Sequence, residues 1–435
     1  MAVLGGTADN SSLDKLSFSI GFTARNLPAG RTANSMVRLS AIALLLLAGL
    51  PSALRGAEVA SGSMLGPRYK ADRFYVRNTP GGRWELTYSE SKYRGKARGK
   101  LMVLRLAQGL FDDEWMTEYR FDPAGNTERL VAALDAYKEH GVLAIAISLQ
   151  GGNPGYSAAA NKITRQNAAG LGEKQGLLVS AFRPDGSLKP EWLARLERVI
   201  VETNRRGMIV CLMYFYQGQD EVLESPETML AGARNITDWL IKKNFRNVIL
   251  DVANEWDIEG QTWDHGRFVP EYITQLVAEI RERFQDVEFT LPIGASTGGS
   301  MSYPESLARF CDVVILHGNG RTPGEKLQKV KQHLSYGRPV WMNEDDNGRE
   351  TTPEHLALEK ASADILFENA AGWGYMPWVQ AQRFPFEFMP GPTAEFTAET
   401  PVEERDRAYF KAVLEHIARL VLKKPPSTIS KKQKN

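Results

Sequence analysis

Val248-Ile249-Leu250-Asp251-Val252-Ala253, running straight into Asn254-Glu255-Trp256, is the stretch on which the fold turns. Its apolar residues do not alternate with polar ones, so it reads as a strand covered on both faces, the mark of a parallel sheet. Runs of the same kind recur at Leu101 to Ala107, Val142 to Leu149, Met208 to Phe215, Glu288 to Ile293, Asp312 to Leu316, Pro339 to Met342 and Gly374 to Val379. With the first, that makes eight. Helical patterns lie between and after them, at Thr127 to His140, Pro190 to Arg206, Pro226 to Asn244, Phe268 to Phe284, Pro304 to Phe310, Pro323 to Tyr336, Pro353 to Asn369 and Glu403 to Leu422. Several open with proline after Ser225, Thr322 or Thr352, which is helix-start chemistry. Eight strand and helix pairs predict an α/β fold, a (β/α)8 TIM barrel. A doubly wound open sheet is the alternative, but no strand is followed by GxGxxG or GxxxxGK[ST].

Two features fall outside this alternation. Phe74-Tyr-Val-Arg77, Gly81-Gly82 and Trp84-Glu-Leu-Thr87 predict a short N-terminal hairpin. After the second strand comes a long loop, from about 150 to 188, ending in the turn signature Arg183-Pro-Asp-Gly186. On a barrel it belongs to the catalytic rim.

The 435 residues include 53 Lys or Arg and 52 Asp or Glu, a net charge of +1 that supplies no field for nucleic acid or an anionic bilayer. With 43% hydrophobic, 24% charged and 9% aromatic residues the composition is that of a globular protein. Cys211 and Cys311 are the two cysteines, in apolar or strand-like contexts, and offer neither a disulfide framework nor a CxxC metal pair. Ahead of the barrel, Met36-Val-Arg38 and the apolar run Ala41 to Leu50 read as a secretory signal, too short to span a bilayer, which needs about 20 apolar residues. We therefore expect residues 1–60 to be leader and signal peptide, with Met36 the true start and the protein secreted or periplasmic. Residues 61–422 form one catalytic domain, and 423–435, with Pro425-Pro426 and Lys431-Lys432, a disordered basic tail.

Barrel chemistry sits at the C-terminal ends of the strands, so the polar residues that end each run are the informative ones. Strand four ends in Asn254-Glu255-Trp256-Asp257 and strand seven in Asn343-Glu344-Asp345-Asp346. Two carboxyls on opposite sides of one mouth suit the cleavage of a glycosidic bond. One donates a proton to the leaving oxygen, and the other attacks the anomeric carbon or activates water.

The ordered set of an Asn-Glu ending strand four and a Glu ending strand seven resembles the clan A retaining glycoside hydrolases, the cellulase-like and mannanase-like barrels. The resemblance covers about residues 73 to 422. It implies that Glu255 is the acid/base, that Asn254 donates to the sugar 2-hydroxyl, and that Glu344 is the nucleophile in a double displacement on a β-linked oligo- or polysaccharide. It also matches His317, in Ile315-Leu-His-Gly-Asn319, to a histidine or tyrosine after strand six, and Trp378, in Met376-Pro-Trp378, to a tryptophan ending strand eight. Cellulase-like members often end strand two in Arg and strand three in His. Here those ends are Ser148-Leu-Gln150 and Tyr214-Phe-Tyr216-Gln217, while Arg105 lies in the first strand and is the candidate to reach the nucleophile.

Trp378 is expected beneath a sugar ring, with Trp256, Tyr214, Tyr216 and Trp373 as further aromatic contacts and Asn319, Gln150, Asn153 and Gln217 as sources of hydroxyl hydrogen bonds. The six histidines are scattered and form no HExxH, and there is no G-x-S-x-G, so neither a catalytic zinc nor a serine nucleophile is expected, and no cofactor. No protein partner is implied. Two other classes stay open at this point. One is a carbohydrate-binding barrel without turnover; the other is a metal-dependent enzyme using Glu344, Asp345 and Asp346 as ligands.

Overall fold

Seven consecutive buried residues form the strand at Val248–Asn254, and a computed structural model sets it among parallel neighbours on both sides. The structure describes residues 74–78, 84–88, 97, 99–112, 121–151, 179–258, 263, 270–347, 350–383 and 385–422. The leader, the middle of the loop after the second barrel strand and the basic tail therefore lie outside the described residues. The hairpin is present, with β1 (Phe74–Asn78) antiparallel to β2 (Trp84–Tyr88), Phe74 opposite Tyr88 and Asn78 opposite Trp84.

The barrel strands are β3 (Val103–Arg105), β4 (Ala144–Ser148), β5 (Ile209–Tyr216), β6 (Val248–Asn254), β7 (Ile293–Gly294), β8 (Ser296–Thr297), β9 (Val314–His317), β10 (Val340–Glu344) and β11 (Gly374–Tyr375). One parallel sheet runs in the order β11-β3-β4-β5-β6-β7 and another in the order β10-β9-β8. Two junctions join them into a ring. β7 and β8 are one stave interrupted at Ala295, the first half pairing with β6 and the second with β9. On the other side a parallel bridge ties Met342 of β10 to Trp373, just before β11.

The interior splits as the pleat requires. Val103, Ala144, Ala146, Ile209, Cys211, Ile249, Ile315 and Trp341 make one cluster inside the ring, and Trp341 also donates its indole N–H to the Leu101 carbonyl (3.0 Å). The alternate residues Leu104, Ile145, Val210, Leu212, Leu250 and Val252 pack outward on the helices. Those helices are α1 (Pro123–Glu139), α2 (Pro190–Arg205), α3 (Pro226–Lys242), α4 (Pro270–Arg283), α5 (Glu305–Ala308), α6 (Pro323–Leu334), α7 (Pro353–Asn369), α8 (Trp378–Ala381) and α9 (Val402–Val421). Ser225 and Thr322 each form a reciprocal capping box, with Thr228 and Glu325 respectively.

Three elements differ from the sequence reading. The fifth stave does not run from Glu288: Thr290 makes only an isolated bridge, Pro292 removes a ladder donor, and the ladder to β6 begins at Ile293. The eighth strand stops at Tyr375, since Pro377 ends it and Trp378 opens α8 instead. Helix α1 begins four residues earlier than its apolar period suggests, because Asp122 accepts from the Gly125 N–H (3.0 Å) and Pro123 sets the first turn.

Closure depends on small residues. At Gly374 an added methyl would overlap the backbone of Asn343, and Gly372 combines a φ of +145° with the carbonyl of Leu101 against the missing Cβ. Both neighbours are backbone and cannot rotate away. Gly374→Ala is expected to destabilise the protein by roughly 2 kcal/mol or more, as overpacking against fixed atoms does, read as a fall in the urea midpoint at unchanged m-value.

Candidate active site

The last turn of β6 carries two polar side chains in succession. Asn254 closes the strand, and Glu255 leaves it with φ at +51°, a left-handed conformation that costs an L-residue about 1–2 kcal/mol and must be held by its surroundings. One hydrogen of the Asn254 amide goes to Gln217 Oε1 (2.7 Å), and Gln217 Nε2 in turn donates to Glu255 Oε2 (2.6 Å). Gln217 follows β5, so the adjacent strand end fixes both residues at once. Gln150, after β4, stiffens that strand end by accepting from the Tyr216 N–H (2.9 Å) and donating to the Gln219 carbonyl (3.0 Å).

From β10, Glu344 enters the same mouth, its side chain only 5% exposed. Arg105 of β3 makes an ion pair with it through Nε, and Asn319 Nδ2 donates to its Oε1 (2.7 Å). Burial pushes the Glu344 carboxyl up, but Arg105 and then His317 more than offset this and hold it below the usual carboxylate range. Arg105 is itself buried. Its Nη2 donates to Asn254 Oδ1 (3.0 Å), its Nη1 to Gln382 Oε1 (3.4 Å), and its Cζ lies 5.5 Å from the Tyr216 ring centroid. Burial works against its charge, yet Glu344, Tyr216 and Glu255 raise its pKa above the ordinary value.

His317 sits between the two carboxylates. Its Nδ1 is 3.1 Å from Glu255 Oε1 and 3.5 Å from Glu344 Oε2, and the side chain is fully buried. Burial favours neutral imidazole, but Glu344 and Glu255 outweigh it and raise the pKa above 6.5. One ligand atom from each of Glu255, His317 and Glu344 lies within 4.8 Å of the other two. In geometry alone the three could close on a cation. Arg105 already places a full positive charge on Glu344, so a cation there would meet repulsion.

The structure thus gathers Glu255, Glu344, Asn254, His317, Arg105 and Asn319 at one strand-end face. Other expectations are corrected. Tyr214 points outward with Val210 and Leu212, fully buried, its hydroxyl 3.1 Å from Thr237 Oγ1 on α3. Trp256 turns into the core, 5% exposed, edge-on to Tyr303. Trp378 is corrected in position alone: it does not end a strand but opens α8, where it lines a small recess with Thr351, Tyr375, Gln380 and Asp406. Asp345 is no metal ligand: it is fully buried in an ion pair with Lys326 (2.8 Å) and accepts from the Trp373 indole (2.8 Å). Tyr216 and Gln217, candidates by their position at a strand end, join the site, and the residue that no sequence signal marks is Gln382.

No family model matches this chain, and no curated protein matches it. Solved structures do. An exo-β-1,4-mannosidase from Opitutaceae bacterium strain TAV5 aligns at 15% identity over 76% of this chain and 62% of its own, with a TM-score of 0.46. The chain thus spans less than two thirds of that enzyme. A family 5, subfamily 18 glycoside hydrolase from Streptomyces cattleya, in complex with GlcNAc, aligns at 15% identity over 75% and 81%, with a TM-score of 0.45. A broad-specificity endoglucanase of family 5, subfamily 4 from Clostridium longisporum aligns at 12% over 74% and 95%, with a TM-score of 0.46.

The raised pKa of His317 has a consequence for stability. A charged histidine between two carboxylates contributes fully below its free value of about 6.5, and the contribution is lost as pH rises through the higher folded value. The stability difference between wild type and His317→Gln, from urea titrations at pH 6 to 9, should therefore shrink with rising pH.

Proposed function

We propose that the chain is a retaining glycoside hydrolase. The observation that carries this is the 4.8 Å within which reactive atoms of Glu255, His317 and Glu344 are gathered. A carboxylate pair that interposes a water needs roughly 6.5–9.5 Å, whereas direct attack on the sugar works at about 5–5.5 Å. The environments also divide the labour. Glu344 is buried under Arg105, His317 and Asn319, which keeps it ionised as a nucleophile, and Glu255, with a side chain 14% exposed, keeps contact with solvent through which a proton can come and go.

In the first step Glu255 donates its proton to the glycosidic oxygen while Glu344 attacks the anomeric carbon, giving a glycosyl-enzyme and a free leaving group. In the second, Glu255 takes a proton from water, which displaces Glu344 and restores the starting configuration. The second hydrogen of the Asn254 amide is assigned to the sugar 2-hydroxyl. Trp378, at the start of α8, keeps its assignment as an aromatic contact for the sugar. The substrate class is a β-linked oligo- or polysaccharide, and the leader read in the sequence suggests action outside the cytoplasm.

The test is turnover of a panel of activated aryl β-glycosides. Glu344→Ala is expected to lose roughly a thousandfold or more in kcat, with azide or formate restoring part of it as a product of inverted configuration. Glu255→Ala should spare dinitrophenyl glycosides and lose those with poor leaving groups, which need the proton. No turnover by wild type on any such glycoside would leave a barrel that only binds saccharide; activity abolished by chelation but kept in Glu255→Gln would point to metal chemistry.

A further inference from the structure

The left-handed turn at Glu255 is held by one residue of another stave. Ser296, the first residue of β8, is fully buried and makes four contacts to the end of β6. Its Oγ accepts the Glu255 N–H (3.3 Å) and donates to the Ala253 carbonyl (3.4 Å), and its carbonyl accepts the Trp256 N–H (3.1 Å). Its own N–H donates to Asp251 Oδ1 (2.9 Å). Asp251 is also fully buried, three residues before Asn254 on the inward face of β6, and its other oxygen has no hydrogen-bond partner among the described residues. The arrangement exists because the fifth stave breaks at Ala295: β7 ends on β6, and Ser296 restarts the ladder on β9 with its side chain against the end of β6.

We propose that Ser296, anchored by Asp251, is a positioning residue for Glu255. The inference rests on the hydrolase reading above and deepens it. A glutamate at positive φ relaxes to an extended conformation unless its environment over-determines it. Here the two successive N–H groups of the turn, at 255 and 256, are both satisfied by the one serine. Removing the hydroxyl releases the first of them and lets the Glu255 carboxyl leave the line to the glycosidic oxygen. Glu344, held from β3, β9 and the loop carrying Asn319, is untouched. The defect therefore falls on proton transfer and not on nucleophilic attack.

The experiment compares wild type, Ser296→Ala, Asp251→Ala and Asp251→Asn on two glycosides of one sugar, with a dinitrophenyl and an alkyl leaving group. Ser296→Ala and Asp251→Ala are expected to lose roughly 10- to 100-fold in kcat on the alkyl glycoside and under about threefold on the dinitrophenyl one, with KM little changed. Asp251→Asn keeps an oxygen for the Ser296 N–H and should retain the wild-type ratio between the two substrates, whatever its absolute rates. A 2-deoxy-2-fluoro dinitrophenyl glycoside, read by intact mass, should label Glu344 in Ser296→Ala at a rate within about threefold of wild type, which also reports that the variant folds. Equal losses on both substrates, or labelling lost together with turnover, would overturn the inference, as would Asp251→Asn behaving like Asp251→Ala. Wild type inactive on both substrates would overturn the hydrolase reading and this inference with it.

Discussion

Arg105 buried against Glu344 is the interaction on which the rest of the site depends. A guanidinium and a carboxylate taken out of water each carry a desolvation cost of several kcal/mol, and they are tolerated only where geometry and further hydrogen bonds compensate. Here the compensation comes from almost every neighbouring strand end: Asn254 closing β6, Tyr216 closing β5, Gln382 beyond β11 and His317 on β9. Each partner is thereby held by the charge it helps to bury. The site is a consequence of one ion pair being made acceptable inside a ring of strands.

The ring itself supplies the dielectric contrast. Below the mouth the barrel is filled by Val103, Ile209, Ile249, Ile315 and Trp341, and the polar residues begin where the apolar ones end. Behind β10 a second buried pair, Lys326 with Asp345, ties α6 and the indole of Trp373 to the strand that carries Glu344. The last residue of β10 and the one that follows it thus face opposite ways. Glu344 meets Arg105 in the mouth, and Asp345 meets Lys326 behind it, so the backbone between them is anchored from both sides.

Much of this was legible in the sequence, for a definite reason. Parallel strands covered on both faces produce apolar runs that end abruptly, and the residue at the break is where a side chain first reaches the mouth; Glu255, Glu344, His317 and Asn254 all follow from that rule. What failed was direction. Tyr214 and Tyr216 look equivalent as letters, yet one packs on Thr237 of the helix layer and the other on Arg105. Trp256 follows the catalytic candidate and has the position of a sugar-contacting aromatic, but the turn at positive φ sends it into the core against Tyr303. Asp345 looked like a metal ligand because its partner, Lys326, is nineteen positions away in sequence and invisible to any local pattern. Position along a strand is written in the local sequence, whereas side-chain azimuth is set by contacts that arrive from elsewhere.

The closure of the ring has a mechanical meaning. Between β10 and β11 the ladder is reduced to a bridge at Met342 and Trp373, supplemented by the Ala371 N–H to the Val340 carbonyl (2.7 Å), while β5 and β6 share an extended register. The strand that carries Glu344 thus meets its next neighbour along a short seam, and the Lys326–Asp345 pair, whose carboxylate also takes the Trp373 indole from the far side, works as a rivet across it.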